Sequence, residues 1–186
     1  MNATTPQNTP ILTTPTLWRR MCCWMYEGLL LFGVVFLTSF VFSIVTQTRH
    51  ALDNRHLQQV VLFLVLGCYF VGFWSKGLGQ TLAMKTWHIR VVDGQGQPLT
   101  LRRAMLRYVL CWMWFVPPLV LLSITEHWQQ NPLLASLLTV LWVVFWALLG
   151  RILPGGQFLH DVLAGTRLVY QAPPKRAEAT RKWWQL

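Results

Sequence analysis

The sequence predicts an all-α, polytopic membrane protein: a bundle of four transmembrane helices, with a short cytoplasmic hairpin and interfacial helix between the second and third spans. Four uncharged runs cover 28–48, 57–75, 108–125 and 128–150, with lengths of 21, 19, 18 and 23 residues. A helix needs about 20 mostly apolar residues to cross a bilayer. Charged residues make up only 12% of the chain, about half of the roughly 25% usual for soluble domains.

Charged and helix-breaking residues set the boundaries of the predicted elements. We expect a membrane domain over 17–170, a disordered N-terminal tail over 1–16 that is rich in Thr, Pro and Asn, and a basic C-terminal tail over 171–186. Pro117 and Pro118 fall inside the third run and should kink that helix, because proline lacks the backbone donor. The predicted spans are about 22–46, 57–75, 108–125 and 133–150.

Positive charge is distributed unevenly between the two faces that four spans would create. Fourteen of the sixteen lysine and arginine residues lie before the first span, between the second and third, or after the fourth. The other two, Arg49 and Arg55, lie between the first and second spans. Because positive charge marks the cytoplasmic side, both termini are expected in the cytoplasm. The same asymmetry argues against the nucleic-acid partner that a net charge of +10 would otherwise suggest.

The segment between the second and third spans is predicted to fold back on itself. Residues 89–92 alternate in the manner of a strand, and 93–96 read Asp-Gly-Gln-Gly, a strong signal for a tight turn. Residues 99–101 are then expected to pair back across this turn. The sequence therefore predicts a small hairpin on the cytoplasmic side.

An interfacial helix is predicted to follow this hairpin and to lead into the third span. Thr100 is a plausible N-cap, and the arginines that follow lie beside an apolar stripe, which is typical of helices at the membrane surface. We expect Arg102, Arg103 and Arg107 to contact anionic lipid headgroups, with a specific ligand as the alternative. The apolar stripe consists of Leu101, Ala104, Met105 and Tyr108.

Glu27 is the one charged residue within 21–40. A charged side chain costs up to about 3 kcal/mol at the bilayer centre and less nearer the edge, so Glu27 must face the bundle, take a partner or carry a proton. Arg20 lies two turns earlier on the same face, about 10 Å away along the axis. Arg20, Arg107 and Arg151 are the candidate ion-pair partners.

Three separated blocks of the chain carry a resemblance to a known family. They are Trp18-Arg19-Arg20-Met21 with Glu27-Gly28, then the segment from Gly79-Gln80-Thr81-Leu82 through Leu106-Arg107, and finally His160-Asp161 with Ala164-Gly165-Thr166. In this order, over roughly 16–170, they resemble the RDD family of bacterial multi-pass membrane proteins. The family is named after one arginine and two aspartates, which map to Arg20, to Glu27 in place of an aspartate, and to Asp161. The resemblance implies a compact bundle in the inner (cytoplasmic) membrane.

Two functions of different classes remain open. The resemblance implies a poorly defined activity, with cation/proton exchange proposed for some members. A polar site at the cytoplasmic side, formed by Arg20, Glu27, His160 and Asp161, would then bind and release the ion. The alternative function is a membrane scaffold or assembly factor that docks partners on its cytoplasmic face. A purely structural ion pair at Glu27 is a third interpretation of the same residues.

An enzyme is not expected, because the chain shows no nucleophile–base pairing, no phosphate-binding loop and no cluster with metal-ligand spacing. We therefore predict no catalytic residue, no metal and no cofactor. Membrane lipids are the expected partners. A homo-oligomer stays open, since four short spans form a narrow pathway for a monomer, and the sequence identifies no protein partner.

Overall fold

The computed structural model describes residues 13–47, 54–124 and 131–171. Most of the predicted N-terminal tail, 1–12, lies outside the described residues, and so does the predicted C-terminal tail from 172–186. Helix dominates the described chain, and the only sheet found in it has two strands. The predicted helical membrane protein is confirmed at this level.

Three helices of the described chain are long and apolar enough to cross a membrane. They are Leu17–Thr46, Arg55–Ser75 and Pro132–Ile152, with 30, 21 and 21 residues, so at 1.5 Å per residue each exceeds the roughly 30 Å hydrocarbon thickness. They coincide with the first, second and fourth predicted spans. The elements in chain order are α1 Leu17–Thr46, α2 Arg55–Ser75, α3 Leu82–Thr86, β1 Ile89–Asp93, α4 Leu101–Cys111, α5 Val116–Ile124, α6 Pro132–Ile152, α7 Leu159–Leu163 and β2 Thr166–Tyr170.

The predicted third span is not one continuous helix. A 3-10 turn at Trp112–Trp114 separates α4 from α5. The break comes before the two prolines rather than at them: Pro117 and Pro118 lie in the first turn of α5, where a missing N–H costs no bond within the helix. Thr100 is the N-cap residue of α4, as predicted, although its hydroxyl makes no capping hydrogen bond.

The extended segment after α3 forms a strand, but its partner differs from the prediction. β1 pairs antiparallel with β2, with Ile89 opposite Tyr170 and Asp93 opposite Thr166. The pairing with 99–101 is therefore wrong, because the chain proceeds from the turn into the N-terminus of α4. The tight turn itself is confirmed by the hydrogen bond from Gly96 N to Asp93 O, at 3.0 Å.

We call residues 76–100 and 153–171 the cap. Both edges of its small sheet carry further hydrogen bonds: Val91 N donates to Gly79 O at 2.8 Å, and Tyr170 N donates to Thr13 O at 2.8 Å. The close approach at the first edge requires glycine, since Gly79 has φ +76° and a Cβ there would lie 2.2 Å from Val91 O. The cap is thus built from two segments far apart in sequence, together with the residues just before α1.

The cap packs against the first half of α1. Four side chains of that helix are buried, Arg20, Cys23, Glu27 and Phe42, and three of them lie in its first eleven residues. Most of the apolar side chains further along α1 are exposed, as expected for a helix that lipid surrounds. Arg20 and Glu27 therefore both lie where α1 meets the cap.

Candidate functional site

Glu27 is buried between α1, α2 and the cap, with 7% of its surface exposed. Tyr69, on α2, donates from its hydroxyl to Glu27 Oε1 at 2.7 Å. Thr81 donates from Oγ1 to Glu27 Oε2. Thr81 is fully buried and is also the N-cap of α3, where the same oxygen accepts from Met84 N at 3.2 Å. One hydroxyl thus connects a membrane helix to the cap.

No lysine or arginine forms an ion pair with Glu27 in the part of the chain that the structure describes. The three expected partners are wrong for distinct reasons. Arg20 lies against Phe158, Arg107 pairs with another carboxylate, and Arg151 is exposed at the end of α6. Glu27 is therefore a buried carboxyl group held by two neutral hydroxyls.

A buried ion pair joins α4 to α7 of the cap. Arg107 pairs through Nη1 with Asp161 Oδ1, and the two side chains are 3% and 0% exposed. The same Nη1 donates to Thr166 Oγ1 at 2.9 Å, and the guanidinium lies 4.7 Å from the centre of the Trp74 ring. These contacts fix the orientation of α4 against α7 and β2.

The headgroup contact predicted for Arg107 is wrong, because this side chain is enclosed by protein. The two other arginines of the same helix, by contrast, are exposed. Arg102 is exposed, and Arg103, whose side chain is 48% exposed, forms a 2.9 Å ion pair with Asp93. Two backbone N–H groups, of Gln97 and Gln95, and the charge of Arg103 hold the pKa of Asp93 below its usual value. The predicted lipid contacts of Arg102 and Arg103 stay predictions.

His160 is buried beside Asp161 and is neutral. Its Nδ1 accepts a hydrogen bond from Trp114 Nε1 at 3.1 Å, and an indole N–H can only donate, so Nδ1 carries no proton. Nε2 lies 3.5 Å from Asp161 Oδ1. Burial, together with the positive charges of Arg107 and Arg20, lowers the pKa of His160 well below its usual value.

The neutral state of His160 makes the fold sensitive to acid. Below about pH 6.5 the unfolded chain takes up a proton on this histidine, whereas the folded chain does not. The contribution of His160 to stability is therefore fully present above that pH and is lost as the pH drops below it. We expect the thermal unfolding midpoint to fall between about pH 7 and about pH 5. In His160→Asn, whose amide oxygen can still accept from Trp114, the fall should be shallower. Equal slopes for the two proteins would contradict this assignment.

Arg20 lies near His160 without bonding to it. The guanidinium carbon sits 4.4 Å from the centre of the Phe158 ring, and that ring stacks on His160 with centroids 5.7 Å apart. Arg20 is only 6% exposed, yet neither Nε nor Nη1 has a hydrogen-bond partner among the described residues.

The four residues predicted to form one polar site thus fall into two groups. His160 and Asp161 are adjacent, and Arg20 reaches their neighbour Phe158. Glu27 has its own hydroxyl partners two turns further along α1. Sequence reasoning missed those partners and the role of Arg107 with Thr166. The available signals were a tyrosine in the middle of an uncharged run and a threonine ahead of the short helix α3.

Within the described residues, no group of three or more His, Cys, Asp and Glu side chains is arranged to hold a metal ion.

A comparison with curated proteins and one with solved structures found no match. The model of the RDD family matches residues 14–165. This range contains all three spanning helices, the Glu27 site, the buried ion pair and the first segment of the cap. A match over most of the chain shows that this protein belongs to the RDD family.

Proposed function

We propose that the protein exchanges cations for protons across the membrane, with Glu27 as the group that takes up and releases the ion. The observation that supports this is a buried carboxyl group, on a helix long enough to cross the membrane, that is bound by two hydroxyls and by no lysine or arginine of the described residues. Ionisable residues within membrane segments are costly and usually functional. A carboxyl paired with arginine would instead fit a purely structural role.

The ligands around Glu27 suit either a proton or a small cation. With Glu27 ionised, Tyr69 and Thr81 both donate to it, as seen here. When Glu27 takes up a proton, one hydroxyl must rotate and accept from it. When a monovalent cation binds, both hydroxyls turn their lone pairs inward, giving a set of oxygen ligands. All three states use the same oxygens, which is what an exchange of one ion for another needs.

Thr81 transmits the state of Glu27 to the cap in this proposal. Its oxygen also accepts the N-cap hydrogen bond of α3, and the loop just before it reaches β1 through the bond from Gln80 Nε2 to Ile89 O, at 2.8 Å. Rotation of the Thr81 hydroxyl therefore acts directly on the start of α3. Ion uptake at the membrane helix and the position of the cap are coupled through one side chain.

The proposal includes four crossings in the inner membrane, with both termini and the cap in the cytoplasm. Three crossings are α1, α2 and α6, and the segment from α4 to α5 provides the fourth. The distribution of lysine and arginine supports this arrangement. An odd number of crossings would place the two segments of the cap on opposite faces, although their strands pair with each other.

Flux through reconstituted liposomes tests the role of Glu27. With a trapped pH dye and an imposed Na⁺ or K⁺ gradient, the wild-type protein should show cation-dependent proton flux. Glu27→Gln keeps the shape of the side chain, with an amide oxygen that accepts from one hydroxyl and an amide nitrogen that donates to the other, but it loses the ionisable group, so its flux should fall to that of empty liposomes. Ser75→Ala, on the same helix as Tyr69 but away from the site, is the matched control and should keep full flux. Equal flux in wild type and Glu27→Gln would remove Glu27 from the mechanism.

The alternative function, a membrane scaffold or assembly factor, is favoured by exposed apolar side chains at and beside the cap. Leu78, Leu82 and Leu101 are 68%, 49% and 55% exposed. Absence of flux in every variant, together with one partner recovered in fixed stoichiometry after mild crosslinking, would support this function instead. Neither proposal assigns an enzymatic activity.

A further inference from the structure

A buried polar cluster at the start of α1 consists of Arg20, Arg107, His160 and Asp161. This polar cluster carries one more positive charge than negative charge. Arg107 and Asp161 neutralise each other, and His160 is neutral because its Nδ1 accepts from an indole. Arg20 is then left as a buried guanidinium with no ion pair in the described part of the chain. A buried charge without a partner is costly, so this arrangement calls for an anion.

Glu27 is not that anion. It lies seven residues after Arg20, about 10 Å along the helix axis. Both of its oxygens are already bound, by Tyr69 and Thr81. In α-helices long side chains point back towards the N-terminus, so the guanidinium of Arg20 points away from Glu27 and towards the end of the helix. The missing partner is thus expected on the membrane-surface side.

The position of Arg20 places its guanidinium near the membrane surface. Arg20 is the fourth residue of α1, and Trp18 beside it is 77% exposed, as expected for an indole at headgroup depth. The N-terminus of α1 adds the positive end of a helix dipole. Two nitrogens of the guanidinium, Nε and Nη1, are buried donors that have no acceptor among the described residues.

We propose that Arg20 binds a phosphate group, either that of an anionic phospholipid headgroup or a free phosphate ion. A phosphate accepts charge-assisted hydrogen bonds from a guanidinium and supplies the charge that the cluster lacks. Because Nε and Nη1 are buried, the phosphate must approach through the 6% of Arg20 that is exposed. The ring of Phe158, whose centre lies 4.4 Å from the guanidinium carbon, holds the guanidinium in place for that contact. This site is separate from the ion site at Glu27 and does not depend on transport.

Lipid binding to the purified full chain in detergent tests the proposal. Native mass spectrometry with phosphatidylglycerol or phosphatidylcholine should show preferential retention of phosphatidylglycerol by the wild-type protein. Arg20→Gln should bind phosphatidylglycerol roughly tenfold more weakly, as expected for the loss of a charge-assisted hydrogen bond. Arg151→Gln, which removes an exposed arginine at the end of α6, is the matched control and should bind as the wild type does. Equal weakening in both variants would reveal diffuse attraction to basic residues and overturn the proposal.

A second measurement needs only the wild-type protein. Inorganic phosphate, compared with chloride at matched ionic strength, should raise the thermal unfolding midpoint if the free ion is a ligand. Phosphatidylglycerol, compared with phosphatidylcholine, should raise it if the lipid is the ligand. Stabilisation by phosphatidylglycerol alone would identify the lipid headgroup, and stabilisation by phosphate alone would identify the free ion. No stabilisation by either probe would overturn the proposal, even if Arg20→Gln does not fold.

Discussion

Asp161→Asn and Arg107→Gln should each lower the free energy of unfolding by about 3 to 5 kcal/mol, the loss typical of a buried charge left without its partner. Both side chains are enclosed by protein, so water cannot replace the missing contact. The loss of Arg107 also leaves Thr166 without a donor. Unfolding of the detergent-purified protein, followed by tryptophan fluorescence, measures the difference.

Arg103→Gln is the matched control for this prediction. It removes another arginine of the same helix, whose side chain is 48% exposed in its ion pair with Asp93. Such pairs contribute about 1 kcal/mol or less. The double change Arg107→Met with Asp161→Leu should cost less than either single change, because no unpaired charge remains. A loss for Asp161→Asn no larger than that for Arg103→Gln would show that the pair does not stabilise the fold.

Gly79→Ala should disrupt the cap, at a cost of about 3 kcal/mol or more. A left-handed backbone conformation costs an L-residue about 1 to 2 kcal/mol, and Gly79 has φ +76°. The new Cβ would lie 2.2 Å from Val91 O, so the loop must move away from β1, breaking the hydrogen bond from Val91 N to Gly79 O. Limited proteolysis between β1 and α4, together with thermal unfolding, reports on the cap.

Gly94→Ala serves as the comparison for Gly79→Ala. A Cβ at Gly94 would meet no atom within 4 Å, so alanine there should leave proteolysis and unfolding close to those of the wild type. If the two alanine variants behave alike, the close approach of Gly79 to β1 is not needed for the cap.

The spanning helices could be predicted because lipid acts on local composition. The uncharged runs at 28–48, 57–75 and 128–150 became α1, α2 and α6, since a run of apolar residues decides membrane insertion by itself. The run at 108–125 met the same criterion, yet its backbone breaks at Trp112–Trp114. That 3-10 turn is stabilised by contacts with distant residues, such as the bond from Trp142 Nε1 to Trp114 O at 3.1 Å, which composition does not reveal.

The cap and the partners of the charged residues depend on contacts between distant parts of the chain. A strand such as Ile89–Asp93 pairs with any neighbouring strand of suitable register, and the nearest candidate in sequence, 99–101, was not the one used. The sequence placed Arg103 and Arg107 beside one apolar stripe, but the burial of Arg107 depends on contacts with α2, α7 and β2. Glu27 stood out in the sequence because it is the one charged residue within 21–40. Its two hydroxyl partners, Tyr69 and Thr81, could be identified only from the structure.

The pairing of Arg107 with residues that follow α6 has a consequence for synthesis. Thr166 follows Arg107 by 59 residues, and Asp161 comes just before it, after the last spanning helix. A ribosome must therefore complete all three spanning helices of the described chain before this arginine finds its acceptors. Until then the nascent chain exposes an unneutralised guanidinium beside the bilayer, so the insertion machinery receives an unfinished cap that closes only after 153–171 has been made.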